Sequence, residues 1–215
     1  MARQERAVRT RKAVLEAAAE VFAQRGYEGT TISEVLSLSG VTKGALYFHF
    51  PSKEALAKGV LQYAVTETFD RSVKLQALVD MGLVLAYRLP REALLRGAAR
   101  LAADQSAGPF FGGPWGQWQE IFTDLITEAQ QRGEVFAHIA PAETARVLVG
   151  AFTGLQLSSL TTTDPDDLVG LVARWTSMFM PALATPGVLG VIDISPGRAR
   201  QVYEELGHPR EETND

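Results

Sequence analysis

The chemistry of this chain is concentrated in VTKGALYFHFPSKEAL, residues 41–56. Thr42, Lys43, Tyr47 and His49 bring a hydroxyl, an ammonium, a phenol and an imidazole into one short run. All four can donate to phosphate oxygens, and contacts of that kind hold a protein in register on a nucleic acid without reading its sequence. Gly44 and Ala45 are small enough for close approach, and Lys43 beside them adds a cation to reach a base edge or a phosphate. A helix so built can enter a major groove about 12 Å wide, and its first amides favour an anion as well. Leu46, Phe48 and Phe50 are expected to point the other way, anchored against Val21, Phe22 and Ile32, because large apolar side chains are usually buried.

Local signals specify the elements that hold this run. Val14, Ala17, Ala18, Val21 and Phe22 recur at helical spacing, and Gly26 closes that helix. Thr31 to Glu34 is a capping-box pattern, opening a short second helix with Ile32, Val35 and Leu36 inward. Ser39-Gly40 makes a turn. Thr42 caps a third helix, and Pro51 stops it. Ser52 caps a fourth, expected to continue towards Lys74. Two short helices about a Ser-Gly turn, steadied by a longer one, form a helix-turn-helix.

Every later segment also reads helical: Leu75 to Leu89, Arg91 to Ala103, Trp115 to Arg132 and Pro141 to Leu160. Asp164-Pro165 starts a further helix to about Met180, and Ser195-Pro196 a last one to Leu206. Residues 104–114 are a Gly/Pro-rich loop. No strand-type alternation or internal repeat is present. The fold class is therefore expected to be all-α, with a three-helix DNA-binding domain at residues 1–51 and a helical bundle at 52–215.

The totals agree. With no cysteine, disulfides, thiolate metal sites and Cys nucleophiles are excluded, and no cofactor is expected. The basic start lacks a long apolar run, so it does not read as a signal peptide, and no segment reads as a membrane span. A cytoplasmic protein without a membrane partner is expected. The formal net charge is −4, but residues 1–53 hold eight Lys/Arg against five Asp/Glu, leaving thirteen against twenty for the rest. A basic head on an acidic body is the pattern of a chain that meets a polyanion at one end only.

The run TISEVLSLSGVTKGALYFHFPSKEAL resembles the signature of TetR-family transcriptional regulators: a capped helix, G-V-x-x-G-x-L-Y-x-H-F, then a helix opened by x-S-K-E-x-L. The match extends from about Thr10 to Leu61. The resemblance implies that Thr42, Lys43, Gly44, Ala45, Tyr47 and His49 face an operator in double-stranded DNA, with Thr31 and Lys53 on flanking phosphates. It also implies a homodimer whose remaining chain, 52–215, senses a ligand and dimerises. Within that family, the start ERAVRTRKAVLEAAAEVFAQRGYEGTTISEV, the Trp-containing segment after a Gly/Pro loop and the length look like the γ-butyrolactone receptor branch. Those are actinomycete sensors controlling antibiotic production and differentiation, and their pocket tryptophan corresponds to Trp118.

Residue chemistry leaves the body more open. Trp118, a turn after Trp115, can stack on a ligand beside the loop or serve as core. Helix 141–160 is apolar on nearly every side and is expected to be buried all round, while Leu168, Leu171, Val172, Trp175, Met178 and Phe179 keep helical period. The two are expected to form the dimer interface. Thr153 and Gln62 are polar intruders that can fix a ligand group, although a solvated Gln62 or a Thr153 bonded to its own helix fits equally. Three rivals remain: a TetR-type sensor of hydrophobic drugs controlling an efflux pump, a lactone-acting enzyme, and an adaptor that binds protein through its apolar helices, which the DNA-reading face opposes. The second lacks G-x-S-x-G, a P-loop and H-E-x-x-H, and its three histidines lie far apart in sequence.

Overall fold

The computed structural model describes residues 2–63, 69–104, 114–160 and 162–207. Among them are the helices α1 (Ala2–Gly29), α2 (Ile32–Ser39), α3 (Lys43–His49), α4 (Lys53–Gln62), α5 (Lys74–Arg88) and α6 (Ala93–Ala103). They are followed by α7 (Trp115–Gln131), α8 (Pro141–Ser159), α9 (Asp167–Leu183), α10 (Pro186–Leu189) and α11 (Pro196–Glu205). The described residues contain no strand; one isolated antiparallel bridge joins Val135 to Ala184. The fold is all-α, as the periodicity requires. Contacts divide it into two compact units, one holding α1–α4 and α6, the other α5, the body of α7 and α8–α11. This division places α4 and α6 with the head, whereas the boundary expected from sequence fell at 51/52.

The first unit is built on α1. Val14, Ala18, Phe22, Leu46, Leu56 and Val60 meet in its core, each shielded from solvent. Side chains of the size of Phe22 and Leu46 stabilise by about 1.5–3 kcal/mol each when fully buried. α1 breaks at Gly26, where φ is 68°, and one further turn carries it to Gly29. Only glycine adopts that conformation without strain. The break is fastened twice: the Tyr27 amide donates to Asp104 Oδ2 at 3.1 Å, and the Thr30 hydroxyl to the Gly26 carbonyl at 2.7 Å. α6 crosses α1 backbone to backbone at Gly97, where a Cβ would lie 2.6 Å from the Cα of Ala19.

In the second unit α5 lies against α9 and α11. A buried acid caps it: Glu134 accepts from the Leu75 amide at 3.0 Å, placing an anion where the helix leaves amides unpaired. A second buried acid, Asp80, binds α11 to the same helix through Arg198.

Four expectations are corrected. α4 ends at Gln62 rather than near Lys74, and Phe69 to Val73 are not helical. The last long helix starts at Asp167, because Asp164 accepts from the Asp166 amide at 2.9 Å and holds 164–166 in a turn. α8 is not buried all round, since Val147, Leu157 and Gly154 are exposed and only Ala145, Leu148 and Val149 are buried. The fourth concerns Phe48, in the candidate interface. Residues 105–113, most of the expected Gly/Pro loop, lie outside the described residues.

Candidate nucleic-acid interface

The interface grows from three local caps. At α2, the Glu34 amide donates to Thr31 Oγ1 at 3.3 Å while the Glu34 carboxylate accepts from the Thr31 amide at 3.0 Å. This reciprocal pair is the capping box, and Arg25 adds an ion pair to Glu34 at 2.8 Å. Hydrogen bonds from Thr31 hold the Glu34 carboxyl below its ordinary pKa. Gly40, with φ 66°, closes α2 in the left-handed conformation and turns the chain. At α3, Thr42 Oγ1 accepts from the Ala45 amide at 3.3 Å; at α4, Ser52 Oγ accepts from the Ala55 amide at 3.0 Å. Each cap satisfies an amide that the first turn leaves free.

α3 has two faces. Successive residues turn by about 100°, so Leu46 and Phe50, four apart, share a side. Both are buried. Lys43, Gly44, Tyr47 and Phe48 form an arc beside that pair, Lys43 at its near edge and Phe48 farthest round, and all four are exposed. Tyr47 is 40% exposed and Phe48 81%, so Phe48 is not the inward anchor expected from its size. It lies two residues, about 200°, from Leu46, and no straight helix buries both against one core. That angle was available in the sequence and outranks hydrophobicity as a signal. The Phe48 ring meets His49 edge-on at 5.1 Å between centroids. Phe48 is therefore the residue of this face that composition concealed.

The expected contacts differ in how free they are. Lys43 has no ion-pair partner among the described residues and stands exposed at the start of α3. Thr42 uses an oxygen lone pair for its cap, leaving its hydroxyl proton for an outside acceptor. Ala45 and His49 are half-buried at the edges of the face. Thr31 is committed: its hydroxyl donates to Glu34 at 2.8 Å. Lys53 is committed too, donating to the carbonyls of Glu28 at 3.3 Å and Thr30 at 2.9 Å, with its ammonium 4.5 Å from the Tyr27 ring centre. In the free protein these two close the end of α1 and the start of α2.

Gly44 separates packing from recognition. A Cβ built there meets nothing within 4 Å. Alanine should therefore stabilise the fold, by up to about 1 kcal/mol, because it loses less backbone entropy than glycine. If the face is pressed against DNA, the same methyl should weaken DNA binding. Urea unfolding and a binding titration on Gly44→Ala check the two signs, and unchanged affinity would remove Gly44 from the contact surface.

The candidate ligand residues are less gathered. Trp118 is half-buried in the first turn of α7, its ring 5.7 Å from Phe122 and tilted by 56°. Thr153 donates its hydroxyl to the Val149 carbonyl at 2.8 Å, the helix-bonded alternative, although its lone pairs remain available. Gln62, the last residue of α4, belongs to the first unit and is exposed. No helix among the described residues is long and apolar enough to cross a membrane.

Comparison with known proteins agrees with this geometry. Residues 14–60 match the model of bacterial regulatory proteins of the tetR family. Over 196 residues, 89% of this chain and 70% of the relative, the sequence is 42% identical to the A-factor receptor protein of Streptomyces griseus. The crystal structure of TylP, a tetR regulator from Streptomyces fradiae, superposes with TM-score 0.87 at 41% identity, covering 97% of this chain and 94% of that one. A γ-butyrolactone receptor described as ArpA-like superposes with TM-score 0.66 at 27% identity, covering 93% and 98%. With its capped reading helix and a likeness that spans both units, the chain belongs to the tetR family of bacterial transcriptional regulators, alongside the A-factor receptor protein.

Proposed function

We propose that this protein is a DNA-binding transcriptional repressor that leaves its operator when a small γ-butyrolactone-type signal binds, and so controls secondary metabolism or differentiation. The observation that carries the DNA half is the exposed arc of α3, where Lys43, Gly44, Tyr47 and Phe48 stand on a helix anchored by Leu46 and Phe50. Thr42, Ala45 and His49 border it. Contact with DNA by Thr31 or Lys53 requires them to share the internal bonds they already make. Likeness to an A-factor receptor and to a γ-butyrolactone receptor supports the signal class. Relatives that are transcriptional regulators support a role without catalysis, and action on the chromosome implies the cytoplasm.

The division of labour follows: residues 1–51 read DNA, and 52–215 bind the signal and the second protomer. Two reading helices on one duplex require a dimer, with half-sites about one helical turn apart or slightly more. The second unit offers a surface for it. Val147 and Leu157 on α8, Leu160 at its end and Met178 on α9 are exposed, Leu160 by 72% and Met178 by 77%. These exposed apolar side chains are the proposed contact, and a second copy supplies the same residues in return.

Selection of bound duplexes from a random pool should enrich a partly palindromic site, and a γ-butyrolactone should release it. Failure to enrich any sequence would overturn the DNA half, and enrichment without release by any lactone tested would overturn the signal half. Sedimentation at micromolar concentration should give a dimer.

A further inference from the structure

The basic excess of the head does not lie on the reading helix. Five of the eight cations in residues 1–53 are Arg3, Arg6, Arg9, Arg11 and Lys12, against one acid, Glu5, over the same stretch. α3 supplies Lys43 alone, and Lys53 is occupied by two carbonyls and the Tyr27 ring. Yet affinity of a protein for duplex DNA comes mainly from cations placed on phosphates. One free lysine per protomer is a small share of what such a contact uses.

The first three turns of α1 are also unusual as structure. From Gln4 onward, the first fully buried side chain of α1 is Val14. Arg6, Arg9, Arg11 and Lys12 are exposed, and Arg6 and Arg9 form no ion pair among the described residues. Lys12 pairs with the exposed Glu16, at 3.7 Å. Cations in the opening turns of a helix oppose its dipole, so this run does not serve the stability of α1. Its place is fixed by Arg11, whose guanidinium carbon lies 5.2 Å from the centre of the ring of Phe50, the residue that caps the end of α3, while Arg6 and Arg9 leave the helix on another side, about 140–160° round its axis. The basic stretch thus leaves the core beside the end of the reading helix that carries Tyr47, Phe48 and His49. From Arg11 back to Ala2 is about 13 Å of helix.

We propose that this basic stretch is a second DNA-contacting surface, in which Arg6 and Arg9 bind phosphates beside the groove that α3 enters. It rests on the DNA-binding reading above and extends it: α3 reads bases, and α1 supplies most of the charge that holds the duplex. The side-chain cations carry the contact, not the helix amides. Contacts of this type add affinity to any sequence and carry no base information.

The test is a salt titration of the full-length protein on two duplexes, the one recovered from a random pool and a scrambled one. In Arg6→Ala/Arg9→Ala, the slope of log affinity against log salt should flatten by about 0.9 for each phosphate that is no longer neutralised, hence by about 3.6 for the four arginines of a dimer. Both duplexes should lose affinity alike, and Arg6→Lys/Arg9→Lys should keep the wild-type slope. Alanine is the best helix former, so circular dichroism should be unchanged. An unchanged slope in the alanine variant, while Tyr47→Ala measured beside it loses binding, overturns the second surface and leaves the reading helix standing. If neither variant loses affinity, both fall. Loss on the selected duplex alone would make the arginines base readers and also overturn the proposal.

Discussion

Asp80→Ala should lower the unfolding free energy by about 3–5 kcal/mol, the usual effect of removing one partner from a buried ion pair. Asp80 is fully buried on α5. It accepts from Arg71 Nε at 2.8 Å, Gln76 Nε2 at 2.8 Å, and Arg198 Nε and Nη2 at 2.9 and 2.7 Å. Its two oxygens therefore receive four donors, two of them from one guanidinium on α11. The hydrogen bond to Asp80 raises the Arg198 pKa above its ordinary value, against the opposing effect of burial. Without the carboxylate, two guanidiniums that are 27% and 12% exposed share Glu205 as their remaining ion-pair partner among the described residues. Gln76 is also released from the carboxylate, and it holds the chain before α11 through the Asp193 amide and carbonyl. Asp80→Asn should cost less, since an amide oxygen still accepts. Urea unfolding of both variants decides the matter: a loss below about 1 kcal/mol for alanine would equate this cluster with a surface ion pair.

What the sequence made legible is what depends on neighbours along the chain. The capping box at Thr31 and Glu34 and the caps at Thr42 and Ser52 occur as written, because a cap is a bond across three residues, and the last helix starts at Ser195-Pro196 because proline at the first helical position has the φ a helix needs. Interactions across long separations were not legible. Asp80 and Arg198 are 118 residues apart, and nothing near Asp80 signals that it will be buried. Glu134 likewise reads as an ordinary surface acid until the Leu75 amide meets it. Lys53 fits a DNA contact by type, but its ammonium lands on the carbonyls that end α1. Hydropathy misled twice in the same direction, at Phe48 and along α8. In both, apolar side chains are exposed on one protomer, and the reading proposed above gives each a surface to meet: DNA for Phe48, a second copy for α8 and α9. Amino-acid type reports that a residue will be covered. It does not report by what.

Trp118→Ala should keep operator affinity in the absence of signal and lose release by a γ-butyrolactone. A ligand shifts an equilibrium only by its difference in affinity for the two shapes of the protein. With a coupling typical of allosteric proteins, about 1–3 kcal/mol, wild type should bind its operator about 5- to 150-fold more weakly when saturated with signal. Reciprocity then requires operator DNA to weaken lactone binding by the same factor. Trp118 is the proposed platform because its indole offers a flat apolar face and one N–H donor, is only half-buried, and stands in the first turn of α7 with Phe122 beside it. Removing the indole deletes contacts with the ligand but none with DNA, so the ligand-free affinity should stay within about 3-fold, a shift below about 0.65 kcal/mol. Trp118→Phe should recover part of the release, since stacking survives and the donor does not. Gel shifts of all three proteins across a lactone series give the comparison. If Trp118→Ala is released at the same lactone concentration as wild type, the indole is core, and the pocket must be sought among other residues of the second unit.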